Sequence, residues 1–128
     1  MQIDLILPIP PSVNACYANR NTKGMRGRIL TDEGRNWKHI AGWEAKAAAQ
    51  KVGWEITKEK VIIEVTAYWG DARKHDMNNT HKLLADAFEG ILYENDNVVL
   101  MRDMDFTIDR KKPRLEITIR LKGVGNEA

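Results

Sequence analysis

The stretch that decides the fold is residues 68–99, YWGDARKHDMNNTHKLLADAFEGILYENDNVV, which holds one turn from a strand into a helix and another from that helix into the next strand. The β-branched, apolar run at 61–68 predicts the strand that leads into this stretch. Between 77 and 89, apolar residues recur at three- and four-residue steps, which predicts an amphipathic helix. Asp76 and Asp96 lie on the two turns. Turns beside a rigid scaffold commonly present chemical groups, so we expect the functional site here.

Outside this stretch, alternation over residues 2–8 predicts an opening strand, which the prolines at 8–11 end. Thr31 is a predicted N-cap for an amphipathic helix over 32–51. We also predict a long surface loop over 12–28 and two more strands, over 98–108 and 114–121. We therefore expect one domain over residues 1–128. Its fold class is α+β, a two-layer α/β arrangement with about four strands in a mixed sheet and two helices on one face.

The composition is that of a globular protein, with 43% hydrophobic and 30% charged residues and a net charge of +2. A mildly basic chain permits a polyanionic partner without requiring one. Cys16 is the single cysteine, which excludes an internal disulfide and a cysteine-based zinc site. No stretch approaches the ~20 apolar residues that cross a bilayer. We expect a cytoplasmic protein that does not enter a membrane.

Oxygen-bearing side chains gather at Asp76, Asn78 and Asn79, and Asp96 adds a second carboxylate if the helix packs beside the following strand. Two carboxylates with an amide oxygen suit Mg²⁺, which keeps several waters and takes few protein ligands. We expect the Asp76 and Asp96 carboxylates to lie within about 8 Å of each other. The alternative is structural, with Asp76 acting only as the helix N-cap.

Lys82 follows Asn78 by one helical turn and precedes Asp86 by another. One interpretation is an ordinary Lys82–Asp86 surface ion pair, and the other is an ammonium beside a metal-bound phosphate, where it stabilises developing charge. Asn14 either caps its own turn or reaches the site from the end of the first strand. His75 and His81 flank the region without a third partner at ligand spacing.

A basic segment with an aromatic residue precedes the first helix and is a candidate nucleic-acid contact, since lysine and arginine bind phosphates and a tyrosine can stack on a base. The alternative is a solvated loop. The candidate DNA-binding residues are Tyr17, Arg20, Lys23, Arg26 and Arg28, together with Arg73 and Lys74 before the second helix.

At three places the sequence resembles the RusA-type Holliday junction resolvases, small endonucleases often borne by phages or prophages. The opening strand followed by P-x-P-P-S-x-N (Pro8 to Asn14) is similar to the family's N-terminal signature. The D-x-[DN]-N-x-x-K-x-x-x-D run from Asp76 to Asp86 resembles its central motif. Asn95-Asp96 before a valine-rich strand resembles its last acidic position. The resemblance covers most of the chain in the family's order.

The resemblance implies that Asp76 and Asp96 are metal-binding catalytic residues and that Lys82 is the catalytic lysine. Asn14, Asn79 and Asp86 take supporting positions. Better-known members carry a further essential aspartate where this chain has Asn78, whose oxygen can ligate a metal without adding charge. The implied protein is a homodimer that needs Mg²⁺, with Mn²⁺ as a substitute, and nicks four-way DNA junctions symmetrically. A branched-DNA-binding protein without nuclease activity and a protein-interaction domain remain as alternatives.

Overall fold

A computed structural model describes residues 1–22 and 25–123, and for residues 19–22 and 25–28 it describes the backbone alone. The strands are β1 (Gln2–Leu7), β2 (Tyr17–Thr22), β3 (Met25–Leu30), β4 (Val61–Trp69), β5 (Val99–Ile108) and β6 (Arg114–Leu121). The helices are α1 (Val13–Cys16), α2 (Asp32–Val52) and α3 (Met77–Phe88), and Asp96–Val98 forms a single 3₁₀ turn.

Four of the strands form one mixed sheet in the order β1-β6-β4-β5. The β4–β5 pair is parallel, while β6 runs antiparallel to both of its neighbours. The remaining two strands, β2 and β3, pair antiparallel in a separate sheet. The predicted α+β class and the four-stranded mixed sheet are therefore confirmed.

The core lies between the sheet and the two long helices. Alternate residues of β4 are buried, and they share one apolar cluster with Trp37 and Ala45 of α2 and Leu84 and Phe88 of α3. On the other face of the sheet stand polar residues such as Glu64 and Arg120, which form an ion pair. The alternation of the strands thus places both helices on one face, as predicted.

Local capping sets the helix bounds close to the predicted ones. The Thr31 hydroxyl accepts the N–H of Gly34 (3.2 Å), which satisfies a free donor in the first turn of α2. Gly53 follows the last turn with φ of 72°, a left-handed conformation that glycine adopts without strain. Helix α3 likewise begins after its cap at Asp76, and Gly90 (φ of 82°) follows its end.

The predicted surface loop over 12–28 is wrong. Helix α1 occupies Val13–Cys16, and β2 and β3 then form a hairpin in which Tyr17 pairs with Leu30. The Thr31 hydroxyl donates to the carbonyls of Ala15 (2.5 Å) and Cys16 (3.1 Å), which ties the base of the hairpin to the start of α2. This segment is polar and basic, so it lacks the apolar alternation by which strands are predicted.

No helix in the described ranges, 1–22 and 25–123, is long and apolar enough to cross a membrane.

Candidate functional site

The Asp76 end of α3 borders a small cavity of about 290 Å³. Asp76 is the N-cap of the helix, because its Oδ1 accepts the N–H of Asn79 (3.1 Å). The structural interpretation of Asp76 is therefore confirmed, and a cap can still offer its second carboxylate oxygen to a ligand. The cavity is lined by Val13, Tyr17, Asp76, Asn78, Asn79 and Lys82.

Lys82, in the middle of α3, also borders this cavity. Its Nζ lies 5.1 Å from the centroid of the Tyr17 ring, a cation–π distance that holds the ammonium beside the cavity. Among the residues that the structure describes, Lys82 and Asp86 form no ion pair. The ion-pair interpretation of Lys82 is therefore wrong, and its partner across the cavity comes from β2.

The N-terminal proline segment forms a second wall beside Asp76. A cavity of about 520 Å³ brings residues 9–14, including Asn14, next to Asp76 and Asn79. Cys16 ties this wall in place, since its thiol donates to the Pro11 carbonyl (3.2 Å) and also hydrogen-bonds Asn79. Burial raises the pKa of the Cys16 thiol, so it remains a neutral packing group. Of the two interpretations of Asn14, the cavity supports the one that brings it to the site.

A short loop after β4 sets the direction in which Asp76 is presented. The rings of Trp69 and His75 stack with centroids 4.0 Å apart and planes 2° apart. His75 Nε2 lies 3.0 Å from Asp71 Oδ1, and Arg73 donates to Asp71 Oδ2 (2.9 Å). The side-chain hydrogen bond from Arg73 is the main cause that holds the pKa of Asp71 below its usual range. This arrangement was missed from the sequence, where the Asp-x-Arg spacing and the tryptophan at the strand end were its available signals.

The Asp96 end of α3 is acidic. Asp96 opens the 3₁₀ turn, and its N–H donates to Glu89 Oε2 (2.8 Å). Tyr93 is buried beneath this turn and donates its hydroxyl hydrogen to the Ala85 carbonyl (2.6 Å). Burial raises the pKa of Tyr93, and the negative charges of Asp96, Glu89 and Asp86 raise it further. Three carboxylates thus act on one buried ring at this end.

Within one chain the two candidate aspartates stand at opposite ends of the sheet. Helix α3 separates Asp76 from the turn that holds Asp96, and its 12 residues span about 18 Å. The strand register agrees, because Val61 pairs with Val99 next to Asp96, whereas Asp76 follows the far end of β4. The expected separation of about 8 Å is therefore wrong within a single chain.

The separation of Asp76 and Asp96 results from the parallel β4–α3–β5 connection. Parallel neighbours need a crossover, so the helix must carry the chain back along the whole strand before β5 can start. One aspartate consequently precedes the helix and the other follows it. In keeping with this separation, the described part of the chain holds no group of three or more histidine, cysteine, aspartate or glutamate side chains placed to bind one metal ion.

Asp86 lies away from Asp76 as well. It borders a cavity of about 330 Å³ between α2 and α3, together with His39 and Trp43. The shared helical face of residues 78, 82 and 86 therefore does not gather all three around one site. Asn78 stays beside Asp76, where it lines the same cavity as Lys82.

The candidate DNA-binding residues are only partly described. Arg73 and Lys74 flank Asp76, and both line the cavity at the proline segment. Tyr17 faces Lys82 across the smaller cavity. Lys23 lies outside the described residues, as do the side chains of Arg20, Arg26 and Arg28. The candidate DNA-binding residues whose side chains are described, Tyr17, Arg73 and Lys74, thus lie on the Asp76 side.

The chain matches a family of known proteins. The family model described as Endodeoxyribonuclease RusA matches residues 8–120, which include the proline segment, the whole of α3 and both aspartate turns. No curated protein matches the chain. The matched span starts in the proline segment beside Asp76 and ends one residue before the end of β6, so it covers the strands of the main sheet except β1.

Proposed function

Because the chain belongs to the RusA endodeoxyribonuclease family, we propose that it is a Mg²⁺-dependent, structure-selective nuclease that resolves four-way DNA junctions by paired symmetric nicks. A divalent cation is consistent with the family's chemistry, and Mg²⁺ is the ion that carboxylate and amide oxygens with retained waters suit best. Mn²⁺ is expected to substitute, since it takes the same ligands.

The residues at the Asp76 end fit such an ion in part. Asp76 supplies a carboxylate, and Asn78 supplies an uncharged amide oxygen on the same cavity. When bound, Mg²⁺ activates water and polarises the phosphodiester. A second carboxylate would strengthen the hold on a divalent ion, since Mg²⁺ is bound through one or two carboxylates together with waters and substrate phosphates. Asp96 is the candidate, and its own chain keeps it a helix length away.

The proposal of paired nicks rests on the separation of Asp76 and Asp96 within one chain. In a two-fold dimer, Asp96 of one protomer can stand beside Asp76 of the other, and the symmetry makes two identical composite sites. A four-way junction has approximate two-fold symmetry as well, so two sites would meet two equivalent strands. Pairing of the two nicks then follows from the symmetry of the protein.

The other residues near Asp76 have roles that follow from their positions. The Lys82 ammonium, held near the Tyr17 ring, would stabilise charge that develops on the scissile phosphate. Lys74 and Arg73 flank the same cavity and would attract the DNA backbone. Asn14 and Asn79 form walls that orient the phosphate beside Asp76. Asp86 and Glu89 would support the turn that presents Asp96.

The test is nicking of an end-labelled four-way junction with and without Mg²⁺, with a linear duplex of the same sequence as the control substrate. We expect Mg²⁺-dependent nicks at symmetry-related positions of the junction and little cutting of the duplex. Salt-dependent junction binding with no nicking at any Mg²⁺ or Mn²⁺ concentration would instead identify a branched-DNA-binding protein, which is the alternative that Asn78 favours.

A further inference from the structure

The turn between β5 and β6 carries basic side chains at successive positions: Arg110, Lys111 and Lys112. All of them are exposed. Among the residues that the structure describes, none of these side chains takes part in an ion pair. This basic turn, residues 110–112, therefore presents positive charge to solvent, and a polyanion is the partner that such charge attracts.

Asp109 fixes the shape of the basic turn. Its Oδ1 accepts the backbone N–H groups of Lys111 (3.2 Å) and Lys112 (3.1 Å), as aspartate commonly does in a turn. Its Oδ2 accepts a hydrogen bond from Arg114 (3.0 Å), so the charge of Asp109 is offset by Arg114 and does not cancel the lysines. The backbone of the turn is thus held at both lysines, while their side chains remain exposed.

Arg114 anchors the basic turn to the sheet. Its guanidinium carbon lies 3.8 Å from the centroid of the Tyr68 ring on β4, a cation–π contact. Its Nε donates to Glu116 of β6 (2.9 Å), and its Nη1 donates to the Lys112 carbonyl (2.9 Å). A turn anchored in this way loses less conformational freedom when it binds a ligand than a mobile loop does.

The basic turn lies at the same end of the main sheet as Asp76. The N–H of Asp109 donates to the carbonyl of Trp69, the last residue of β4 (2.8 Å). The ring of Trp69 stacks on His75, the residue before Asp76. The backbone that begins the turn is therefore one hydrogen bond and one ring contact away from the residue next to Asp76.

The contact between the basic turn and the loop after β4 is tight. A Cβ atom at Gly70 would lie 3.0 Å from Pro113 Cγ, so the turn packs directly on the start of that loop. A cavity of about 510 Å³ is lined by Arg73 and Lys74 of the loop and by Ile108, the last residue before Asp109. The basic turn and the loop thus form one basic surface beside Asp76.

We propose that the basic turn binds the phosphate backbone of the DNA arm that carries the phosphate to be cut at Asp76. This inference rests on the proposed function, because it takes the four-way junction as the ligand. Contacts to backbone phosphates position a protein on DNA and carry no sequence information directly. The turn therefore strengthens binding and fixes the register of the arm, and the preference for a junction over a linear duplex has another source.

An acidic protein surface is the second kind of partner that a basic turn can bind. The position of the turn favours DNA, because the scissile phosphate would lie at the same end of the sheet, beside Asp76. Each DNA strand carries one negative charge per about 3.4 Å of helix axis. A strand that reaches Asp76 consequently continues with further phosphates on both sides of the cut, where the basic turn can meet them.

The first test measures junction affinity without Mg²⁺ over a range of salt concentrations. For Lys111→Gln/Lys112→Gln, the slope of log affinity against log salt should fall by about 2, since each phosphate contact contributes about 0.9. The loss of affinity should then be about tenfold greater at about 50 mM than at about 200 mM salt. The matched control is Lys46→Gln/Lys51→Gln, which removes the same charge from exposed positions of α2. Equal slopes for the two variants, or an unchanged slope for the turn variant, would overturn the proposal.

A scan with uncharged phosphates locates the contact. Methylphosphonate replaces one backbone phosphate at a time in the cut arm, and the affinity is measured for the unchanged protein and for Lys111→Gln/Lys112→Gln. At the contacted position the replacement should weaken binding of the unchanged protein several-fold and leave the variant unaffected, because the partner of that phosphate is already missing. If every replacement weakened both proteins equally, the attraction would be diffuse and the fixed contact would be refuted.

The same variant separates this inference from the proposed nuclease activity. A linear duplex should lose affinity by the same factor as the junction, because backbone contacts do not depend on branching. A loss confined to the junction would contradict the assignment to an arm. Binding that depends on the turn, without nicking at any Mg²⁺ concentration, would refute the nuclease alone. Unchanged DNA binding by the turn variant would refute the phosphate contact alone and leave an acidic protein as the partner.

Discussion

The two ends of helix α3 carry the same carboxylate in contrasting surroundings. Asp76 caps the helix beside a cavity that Lys82 borders, with Arg73 and Lys74 on its other side. Asp96 opens a turn among acids, with its N–H bonded to Glu89. The first end is suited to hold a phosphate, and the second supplies negative charge that a metal ion needs. Neither end alone offers both, which is why the site is proposed to form between two chains.

The largest effect on nicking is expected when the carboxylate at either end of α3 is removed. Asp76→Asn and Asp96→Asn should each lower junction nicking by about 1,000-fold, because losing metal stabilisation removes several kcal/mol from the transition state. Junction binding should persist or improve, since each change removes a negative charge that repels phosphate. Nicking rate and binding affinity would be measured on the same substrate, with Glu44→Gln on the exposed surface of α2 as the control.

If only one end of α3 took part in the reaction, Asp76→Asn and Asp96→Asn would differ in nicking rate. Full activity of Asp96→Asn beside an inactive Asp76→Asn would show that the acidic end has no part in the reaction. Equal loss of binding and nicking, with a changed circular dichroism spectrum, would mean that the carboxylates serve folding alone.

Lys82 is expected to have the next largest effect. Lys82→Met keeps the length of the side chain and removes the ammonium, so nicking should fall by about 100-fold, within the range for a lost electrostatic contact. Tyr17→Leu should cost less, since it releases the ammonium from its ring without removing it. Single-turnover rates at saturating protein would measure both. A larger loss from Tyr17→Leu than from Lys82→Met would contradict the assigned roles.

Much of this fold follows from the sequence, since the caps fix α2 and α3 to within about one residue of their predicted bounds. The β2–β3 hairpin does not, because its polar residues lack apolar alternation. The sequence also marks Asp76 and Asp96 as turn residues. Their separation follows from β4 and β5 being parallel. The predicted strand–helix–strand order favours that arrangement, and the expected separation of about 8 Å did not take it into account.

A substitution at residue 78 tests whether more negative charge at the Asp76 end of α3 strengthens metal binding. Asn78→Asp adds a carboxylate to the cavity, which should lower the Mg²⁺ concentration for half-maximal nicking several-fold through added attraction. The change should cost little stability, since a negative charge is favourable in the first turn of a helix. A Mg²⁺ titration of the nicking rate measures it.

Two other results are informative at this position. A higher Mg²⁺ requirement, with activity lost at lower pH, would indicate that a third carboxylate repels its neighbours and raises a pKa among them. An unchanged titration would remove residue 78 from the proposed metal site.

The smallest expected effect concerns the loop that presents Asp76. The Arg73 hydrogen bond lowers the pKa of Asp71, so this contribution to stability is complete above the unfolded pKa of about 3.9 and is lost as the pH falls through the lower folded value. Arg73→Gln should raise the pKa of Asp71 toward its usual range. Carbon-detected NMR titration would follow it, with Asp109, whose pKa Arg114 lowers, as the internal control. If the pKa values of both Asp71 and Asp109 shifted, or if neither shifted, the Arg73 hydrogen bond would not be the cause of the lowered pKa of Asp71.

The most direct measurement of the composite site mixes two inactive proteins. In a heterodimer of Asp76→Asn with Asp96→Asn, one site would carry both substitutions and the other would carry none. Equal mixing and subunit exchange should therefore restore about a quarter of the unchanged protein's nicking rate, as single-strand nicks, since half of the dimers gain one intact site out of two. If both aspartates instead act within one chain, every site keeps a substitution. The mixture would then stay as inactive as its components, and the account of a site shared between two chains would be wrong.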